Sequence, residues 1–152
     1  MRKAIIFVGL IVFVLAYAGC AEKQITKSEG TASTQEQAAS QITADLNDIH
    51  FDFDKSNIRP EDGKILSDHA AFLSKNKNVK IVIEGNCDER GTAKYNLALG
   101  DRRAKAAKKY LVNAGVASKR IKTISYGKER PLDPGHDEDA WAKNRRDHFV
   151  VK

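Results

Sequence analysis

The chain has 152 residues, of which 41% are apolar and 30% charged, a size that suits one domain with appended segments. Its formal net charge is +6, and basic residues alternate with acidic ones instead of clustering. A nucleic-acid binder usually gathers lysine and arginine on one face and adds aromatic residues for stacking. The charge pattern therefore predicts a solvated surface and argues against a nucleic-acid partner.

The first nineteen residues have the layout of a bacterial secretion signal. A basic pair precedes an unbroken apolar run over residues 4–16, which is short for a membrane-spanning helix, and small residues then lead to Cys20. The segment resembles a bacterial lipobox, in which the cysteine sulfur receives a diacylglycerol, although Tyr17 stands where leucine is typical. We predict a lipoprotein signal peptide over residues 1–19 and a lipid at Cys20; an uncleaved anchor and an ordinary signal peptide are the alternatives.

Residues 20–46 form the second predicted segment, a lipidated cysteine followed by a flexible linker. They are mostly Gln, Ser, Thr, Ala, Lys and Glu, with hardly any large apolar residue, and such a composition cannot bury enough surface to offset the entropy of ordering. Removing the signal takes away two basic residues and leaves a net charge of +4. With Cys20 lipidated, Cys87 has no partner, so no internal disulfide is expected. The folded domain is predicted over residues 47–152.

Within this domain, segments with the period of a strand alternate with segments with the period of a helix. The predicted elements are a strand over 49–53, a helix from Pro60 to 76–78, a strand over 79–83, a loop over 85–91, a helix capped by Thr92 that stops at Gly115, a strand over 121–126, a short helix near 137–142 and a strand over 146–151. The expected buried faces are Ile65, Leu66, His69, Phe72 and Leu73 on the first helix, and Leu97, Ala104, Ala107 and Leu111 on the second. The order β-α-β-α-β-(α)-β predicts a two-layer α/β sandwich, with helices on one face of a mixed four-stranded sheet.

The most unusual local segment is the loop over 85–91, which leaves a strand and enters a helix. Backbone N–H groups at a helix N-terminus attract carboxylates and phosphates. Asp88 lies in this loop, and Leu99 and Arg103 share one face of the following helix because they are four residues apart. A negative group beside a positive one suits a zwitterion, such as the amino-acid end of a peptide. Internal salt bridges and caps among residues 88–90 are the alternative, and spacing alone leaves both open.

Five separated segments resemble the OmpA-like peptidoglycan-binding domain. They are residues 51–58, 84–92, 95–104, 125–131 and 144–146. The resemblance covers residues 50–152 in order and with the family's spacing, and the lipoprotein start is an independent point of agreement. One departure is Asn86-Cys87, where the family more often has His followed by Thr, Ala or Cys, so the rim of the pocket is expected to differ.

The resemblance implies a ligand and the residues that hold it. The ligand is the diaminopimelate of peptidoglycan stem peptides, bound noncovalently. At the matching positions, Asp88 takes the ligand's ammonium, Arg103 takes a carboxylate and Leu99 packs beside the ligand stem. Asp54 and Phe53, in the loop after the first strand, line the same pocket. An arginine can donate two hydrogen bonds in parallel to a carboxylate, which agrees with its implied role.

Three classes of function compete: a noncovalent wall anchor, a docking module for periplasmic partners such as TolB and other Tol proteins, and a wall-processing enzyme. The resemblance favours the first together with the second, with the outer membrane reached through the lipid at Cys20. No catalytic arrangement is recognisable, because Cys87 has an acidic neighbour and no evident base. His69 lies on an apolar helical face and is expected in the core, and the other histidines are scattered. We therefore predict no enzyme activity, no cofactor and no metal.

Overall fold

The computed structural model describes residues 46–152. The predicted signal peptide, the lipidation of Cys20 and nearly all of the predicted linker lie outside the described residues. Within residues 46–152, no helix has both the length and the apolar character needed to cross a membrane.

The described chain forms two layers, a four-stranded sheet and the helices packed on it. The elements are β1 (Ile49–His50), α1 (Pro60–Lys75), β2 (Ile81–Asn86), α2 (Ala93–Asn113), β3 (Ile121–Gly127), α3 (Glu138–Asn144) and β4 (Arg146–Val151), with a 3-10 turn at Ser118–Arg120. The sheet order is β1-β4-β2-β3. Strands β2 and β3 are parallel, whereas β4 runs antiparallel to both β1 and β2. The predicted mixed four-stranded α/β fold is confirmed.

A single hydrophobic core lies between the sheet and the helices α1 and α2. Its buried members are Leu46, Ile49, Phe51, Leu66, Ala70, Leu73, Ile81, Ile83, Ala104, Ala107, Leu111, Val116, Ile121 and Phe149. Leu46 is 3% exposed, so it belongs to the packed core, although the sequence analysis assigns it to the end of the linker. His69 is buried as expected and meets the ring of Phe149 edge-on at 4.6 Å. Burial lowers the pKa of His69 to about 4, which keeps its imidazole neutral in the core.

Two strand predictions need correction. β1 ends at His50 instead of residue 53, because the chain turns immediately afterwards and Asp54 adopts a left-handed backbone with φ of 56°. β2 begins at Ile81 and continues through Gly85 and Asn86, which pair with β3. The predicted loop over 85–91 is therefore shorter, because its first two residues complete the strand.

One predicted core residue of α2 is in fact on the surface. Leu97 is 52% exposed, and the face of α2 that packs inward consists of Asn96, Leu99, Gly100, Arg103, Ala104, Ala107 and Leu111. The helix approaches the sheet through a close contact between two glycines. A Cβ atom added to Gly85 would lie 2.0 Å from the carbonyl oxygen of Gly100, so the helix backbone rests directly on β2. Leu97 lies one turn before Gly100, beside the last residue of β3, because a Cβ atom added to Gly127 would lie 2.8 Å from the Leu97 nitrogen. Leu97 is therefore at the end of the sheet, where its side chain is not covered.

Candidate functional site

A cleft of about 150 Å³ opens where the loop after β1, the loop between β2 and α2, and the first turns of α2 meet. Its lining combines aromatic, acidic and basic side chains. The lining residues are Phe53, Asp54, Cys87, Asp88, Arg90, Gly91, Tyr95, Asn96, Leu99 and Arg103. All five binding residues implied by the family resemblance therefore line one cleft.

The loop between β2 and α2 is fixed onto the helix by local hydrogen bonds. Thr92 caps α2, since its hydroxyl oxygen accepts a hydrogen bond from the backbone N–H of Tyr95 at 3.2 Å. The side-chain amide of Asn96 donates to the carbonyl oxygen of Arg90 at 2.8 Å. Gly91 has φ of +90°, a left-handed backbone that glycine adopts without strain, and it turns the loop into the helix. These contacts fix the position of Asp88, which precedes Arg90 and Gly91 in the loop.

Arg103 closes the inner end of the cleft and is 0% exposed. Its Nε and Nη2 donate to the carbonyl oxygens of Lys55 at 2.8 Å and Asp52 at 3.2 Å, in the loop after β1. Its Nη1 donates to the carbonyl oxygen of Asn86, the last residue of β2, at 2.8 Å. One guanidinium therefore holds together two of the segments that form the cleft. Burial lowers the pKa of Arg103 from its usual value, although neighbouring acidic groups oppose that shift.

Asp88 supplies a buried carboxylate on the loop side of the cleft. The Arg90 guanidinium donates to it at 2.6 Å and the Arg90 backbone N–H at 3.1 Å, while Nη1 of Arg145 lies 3.4 Å away. Burial alone would raise the pKa of Asp88. The hydrogen bonds from Arg90 and Arg145 outweigh that effect and hold the pKa below its ordinary value. Asp88 is therefore ionised at neutral pH.

Aromatic side chains form the outer wall. The Arg90 guanidinium stacks between the ring of Phe53 at 4.0 Å and the ring of Trp141 at 4.1 Å. Asp54, in its left-handed conformation, accepts a hydrogen bond from the hydroxyl group of Tyr95. This bond ties the loop after β1 to α2 across the mouth of the cleft.

The alternative that the sequence left open, internal salt bridges and caps among residues 88–90, is also observed in part. Asp88 and Arg90 form an ion pair, and Glu89 accepts hydrogen bonds from the Trp141 indole and from His136, both at 2.9 Å. Arg145 reaches Glu138 at 2.6 Å and the carbonyl oxygen of Phe51 at 2.9 Å, so its contacts are with the protein itself. Within residues 46–152, no group of three His, Cys, Asp or Glu side chains is arranged to hold a metal ion.

Sequence reasoning placed Cys87 only at the rim of the pocket and missed four other residues of the lining: Arg90, Gly91, Tyr95 and Asn96. For one of them a signal existed, because Asn96 lies three residues before Leu99 and seven before Arg103 and so shares their helical face. Cys87 is 3% exposed, and its thiol donates to the carbonyl oxygen of Asn96 at 3.3 Å. Burial raises the pKa of the Cys87 thiol to about 11, which makes it unreactive at neutral pH.

Comparison with known proteins identifies the family. The model of the OmpA family matches residues 50–145. A peptidoglycan-associated lipoprotein from Mesorhizobium japonicum is 46% identical over 143 residues, which covers 90% of this chain and 85% of the relative. One of the same name from Pasteurella multocida is 44% identical over 148 residues and covers 96% and 95% of the two chains.

Solved structures of similar proteins have the same fold. The crystal structure of the peptidoglycan-associated lipoprotein from Burkholderia pseudomallei superimposes with a TM-score of 0.68 at 42% identity, covering 69% of this chain and 89% of that one. The C-terminal domain of MotB from Helicobacter pylori has the same fold at 23% identity, with a TM-score of 0.66 over 70% of this chain and 84% of that one. The curated relatives are named for an association with peptidoglycan and not for a reaction. The chain therefore belongs to the OmpA family, and the three relatives named here at 42–46% identity are peptidoglycan-associated lipoproteins.

Proposed function

We propose that this chain is an outer-membrane lipoprotein that binds peptidoglycan noncovalently through the cleft and so tethers the membrane to the cell wall. The ligand is the diaminopimelate of a stem peptide. The observation that carries the proposal is that an ionised carboxylate, a guanidinium and an apolar side chain line one small cleft, at Asp88, Arg103 and Leu99. This set matches a ligand that carries an ammonium and a carboxylate on an aliphatic stem.

The hydrogen-bonding capacity of the two charged groups supports this ligand. A guanidinium has five N–H donors, and Arg103 uses three of them on backbone carbonyls, which leaves two for a ligand carboxylate. A carboxylate has about four acceptor positions, and two donors of Arg90 and the longer contact from Arg145 leave room on Asp88 for a ligand ammonium. Both groups are therefore held in place by the protein and still able to bind.

The remaining parts of the proposal come from the family resemblance and the sequence. A lipid at Cys20 would hold the membrane, with the described domain on the periplasmic side. Many weak contacts with one polymer would add up through effective concentration. Docking to TolB or other Tol proteins, as in the Tol-Pal system of envelope integrity and cell division, stays a prediction; pull-down with purified TolB, with and without peptidoglycan, tests it.

Cosedimentation with purified diaminopimelate-type peptidoglycan tests the binding role. We expect the full-length chain, kept soluble with a non-ionic detergent, to pellet with the polymer. Asp88→Asn removes the charge for the ammonium, and Arg103→Lys keeps a positive charge but loses the planar fork. Each is expected to reduce the association constant, obtained from the bound fraction over a range of polymer concentrations, at least tenfold, which corresponds to about 1.4 kcal/mol.

Matched controls separate binding from folding. Asp101→Asn makes the same change in an exposed pair with Lys105, and Arg120→Lys makes the same change in another arginine that donates to three carbonyls. Both controls should pellet like the wild type, and circular dichroism should show that every variant is folded. Wild-type protein that stays in the supernatant would refute the binding role. Release of soluble wall fragments would instead indicate an enzyme.

A further inference from the structure

A second carboxyl group lies behind the cleft, buried in the sheet. Asp147 is the second residue of β4, where it pairs with Ile49 of β1 and with Gly85 of β2. It is 0% exposed, and neither of its carboxyl oxygens has a hydrogen-bond partner in the protein. A buried carboxyl group without partners is costly, and its retention calls for an explanation.

The charged and titratable groups around Asp147 come from several elements. Asp147 lies on the face of β4 that carries the core residue Phe149, and its strand partner Gly85 directly precedes Asn86, whose carbonyl oxygen accepts from Nη1 of Arg103 at 2.8 Å. Arg103 of α2 is the nearby positive charge, and the other titratable groups are Asp48 before β1 and the Cys87 thiol directly after β2. The direct strand partners of Asp147 carry no charge. From α1, the neutral His69 lies against Phe149, which is two residues further along β4.

These surroundings favour the protonated form. Burial raises the pKa of Asp147 well above its ordinary value, the charge of Arg103 opposes that shift, and Asp48 adds to it. Arg103 donates only to neutral carbonyl oxygens, so in this state it carries a buried positive charge with no ionised group bonded to it. Such a guanidinium is prepared to accept a ligand anion.

We propose that Asp147 is a positioning residue for the ligand carboxylate: in its protonated form it leaves the charge of Arg103 to the ligand, and in its ionised form it competes with the ligand for that charge. The inference rests on the proposed function, because it needs a ligand carboxylate at Arg103. It adds a group that does not touch the ligand and that acts through the electrostatics of the arginine. The ligand carboxylate and the ionised form of Asp147 are then alternative negative partners for the buried guanidinium of Arg103.

The proposal predicts that ligand binding depends on pH, and linkage gives the direction of the change. Ligand binding favours the proton on Asp147, so by linkage the affinity falls as pH rises through the pKa of this group. If the bound ligand raises that pKa by one unit, the dissociation constant rises tenfold across the transition. The ordinary pKa of an aspartate is 3.8, and the transition lies well above it.

Titration calorimetry tests the inference with a soluble stem peptide that carries diaminopimelate and the full-length chain in non-ionic detergent. We compare the dissociation constants at pH 5 and pH 8.5. We expect a ratio of about ten for the wild type, by the linkage just given, and a ratio close to one for Asp147→Asn, which mimics the protonated acid. Asp68→Asn makes the same change on an exposed carboxylate of α1 and should keep the wild-type ratio.

A purely structural role for Asp147 would change stability without changing this ratio. A ratio for Asp147→Asn that equals the wild-type ratio overturns the inference, as does a folded Asp147→Asn that binds at neither pH. Asp147→Val, which also lacks a titratable proton, repeats the test with an apolar side chain. A wild-type chain that binds the stem peptide at neither pH would instead contradict the proposed function, so the two failures are distinguishable.

Discussion

Two arginines of the domain donate hydrogen bonds in the same pattern, Arg103 beside the cleft and Arg120 just before β3. Arg120 donates to the carbonyl oxygens of Val79, Leu73 and Asn76 at 2.7–2.9 Å, and so ties the C-terminal end of α1 to the start of β2. Carbonyl groups at a helix C-terminus lack partners within the helix, so a cation is favourable there. Arg120 completes a helix end.

Arg103 uses the same donors on segments that do not belong to any helix end. Its acceptors are two carbonyls of the loop after β1 and the last carbonyl of β2. It is fully buried, whereas Arg120 is partly exposed. Acidic side chains lie near Arg103, namely Asp88 in the cleft and Asp147 behind it. One hydrogen-bonding pattern therefore serves stability in both places, and the surrounding charges distinguish the arginine that we propose binds the ligand.

Alanine at either position provides the strongest test of this difference. Arg103→Ala leaves three carbonyls without donors and a space in the buried wall, so we expect a loss of about 3–5 kcal/mol in the free energy of unfolding. Arg120→Ala is expected to lose about 2–3 kcal/mol, because water reaches its partly exposed site and replaces some donors. Urea unfolding followed by the fluorescence of the single tryptophan, Trp141, measures both.

Binding then separates the two alanine variants. At a temperature where both remain folded, the Arg120 variant should bind diaminopimelate-type peptidoglycan like the wild type, and the Arg103 variant should not bind. Equal losses of binding would mean that the two arginines act only through stability, which would remove the distinction between them.

A smaller effect concerns pH and the core beneath α1. The imidazole of His69 has both nitrogens buried without partners, and its pKa of about 4 lies below the ordinary 6.5. Between these values the unfolded chain binds more protons than the folded one, so stability is lost as pH falls from about 6.5 to about 4. The shift corresponds to about 3 kcal/mol. His69→Leu should lack this part of the acid sensitivity, whereas His136→Asn, at an exposed histidine, should retain it; urea unfolding at pH 7 and pH 4 measures the difference.

The sequence predicted the elements well because their hydrophobic periods are local. The helices α1 and α2 and the strand β4 follow from spacing and from Pro60, Thr92 and Gly115 at their ends. The exposed position of Leu97 could not be predicted, because it lies beside Gly127 at the end of the sheet, and this placement arises only when α2 packs on β2 and β3.

The candidate site, too, could be predicted from the sequence only in part. The five residues implied by the resemblance lie together, but no local sequence pattern indicates that Arg103 joins the loop after β1 to the end of β2, since its acceptors lie 17 to 51 residues away. The contact of Arg145 with Asp88 spans 57 residues, and the buried environment of Asp147 depends on the register of three strands. The family resemblance therefore identified the candidates, and long-range packing determined their contacts and charge states.

The smallest predicted effect concerns the caps of the two helices that flank the cleft. Thr92 caps α2, which carries Asn96, Leu99 and Arg103, and Asp137 caps α3 by accepting from the backbone N–H of Ala140 at 2.9 Å. Alanine at either cap should lower the free energy of unfolding by about 1 kcal/mol.

The effects on binding should nevertheless differ between the two caps. Thr92→Ala loosens the turn that holds the β2–α2 loop, so binding of the stem peptide should weaken by a few-fold, about 0.5–1 kcal/mol. Asp137→Ala acts on a helix that reaches the cleft from outside, through Trp141 stacked on Arg90 and Glu138 at 3.6 Å from Arg90, and it should change binding less. Since both variants lose the same kind of hydrogen bond, calorimetry on the pair separates an effect on the position of the loop from an effect on stability. Equal binding losses would indicate that the contacts of α3 with Arg90 position the loop as strongly as the α2 cap does.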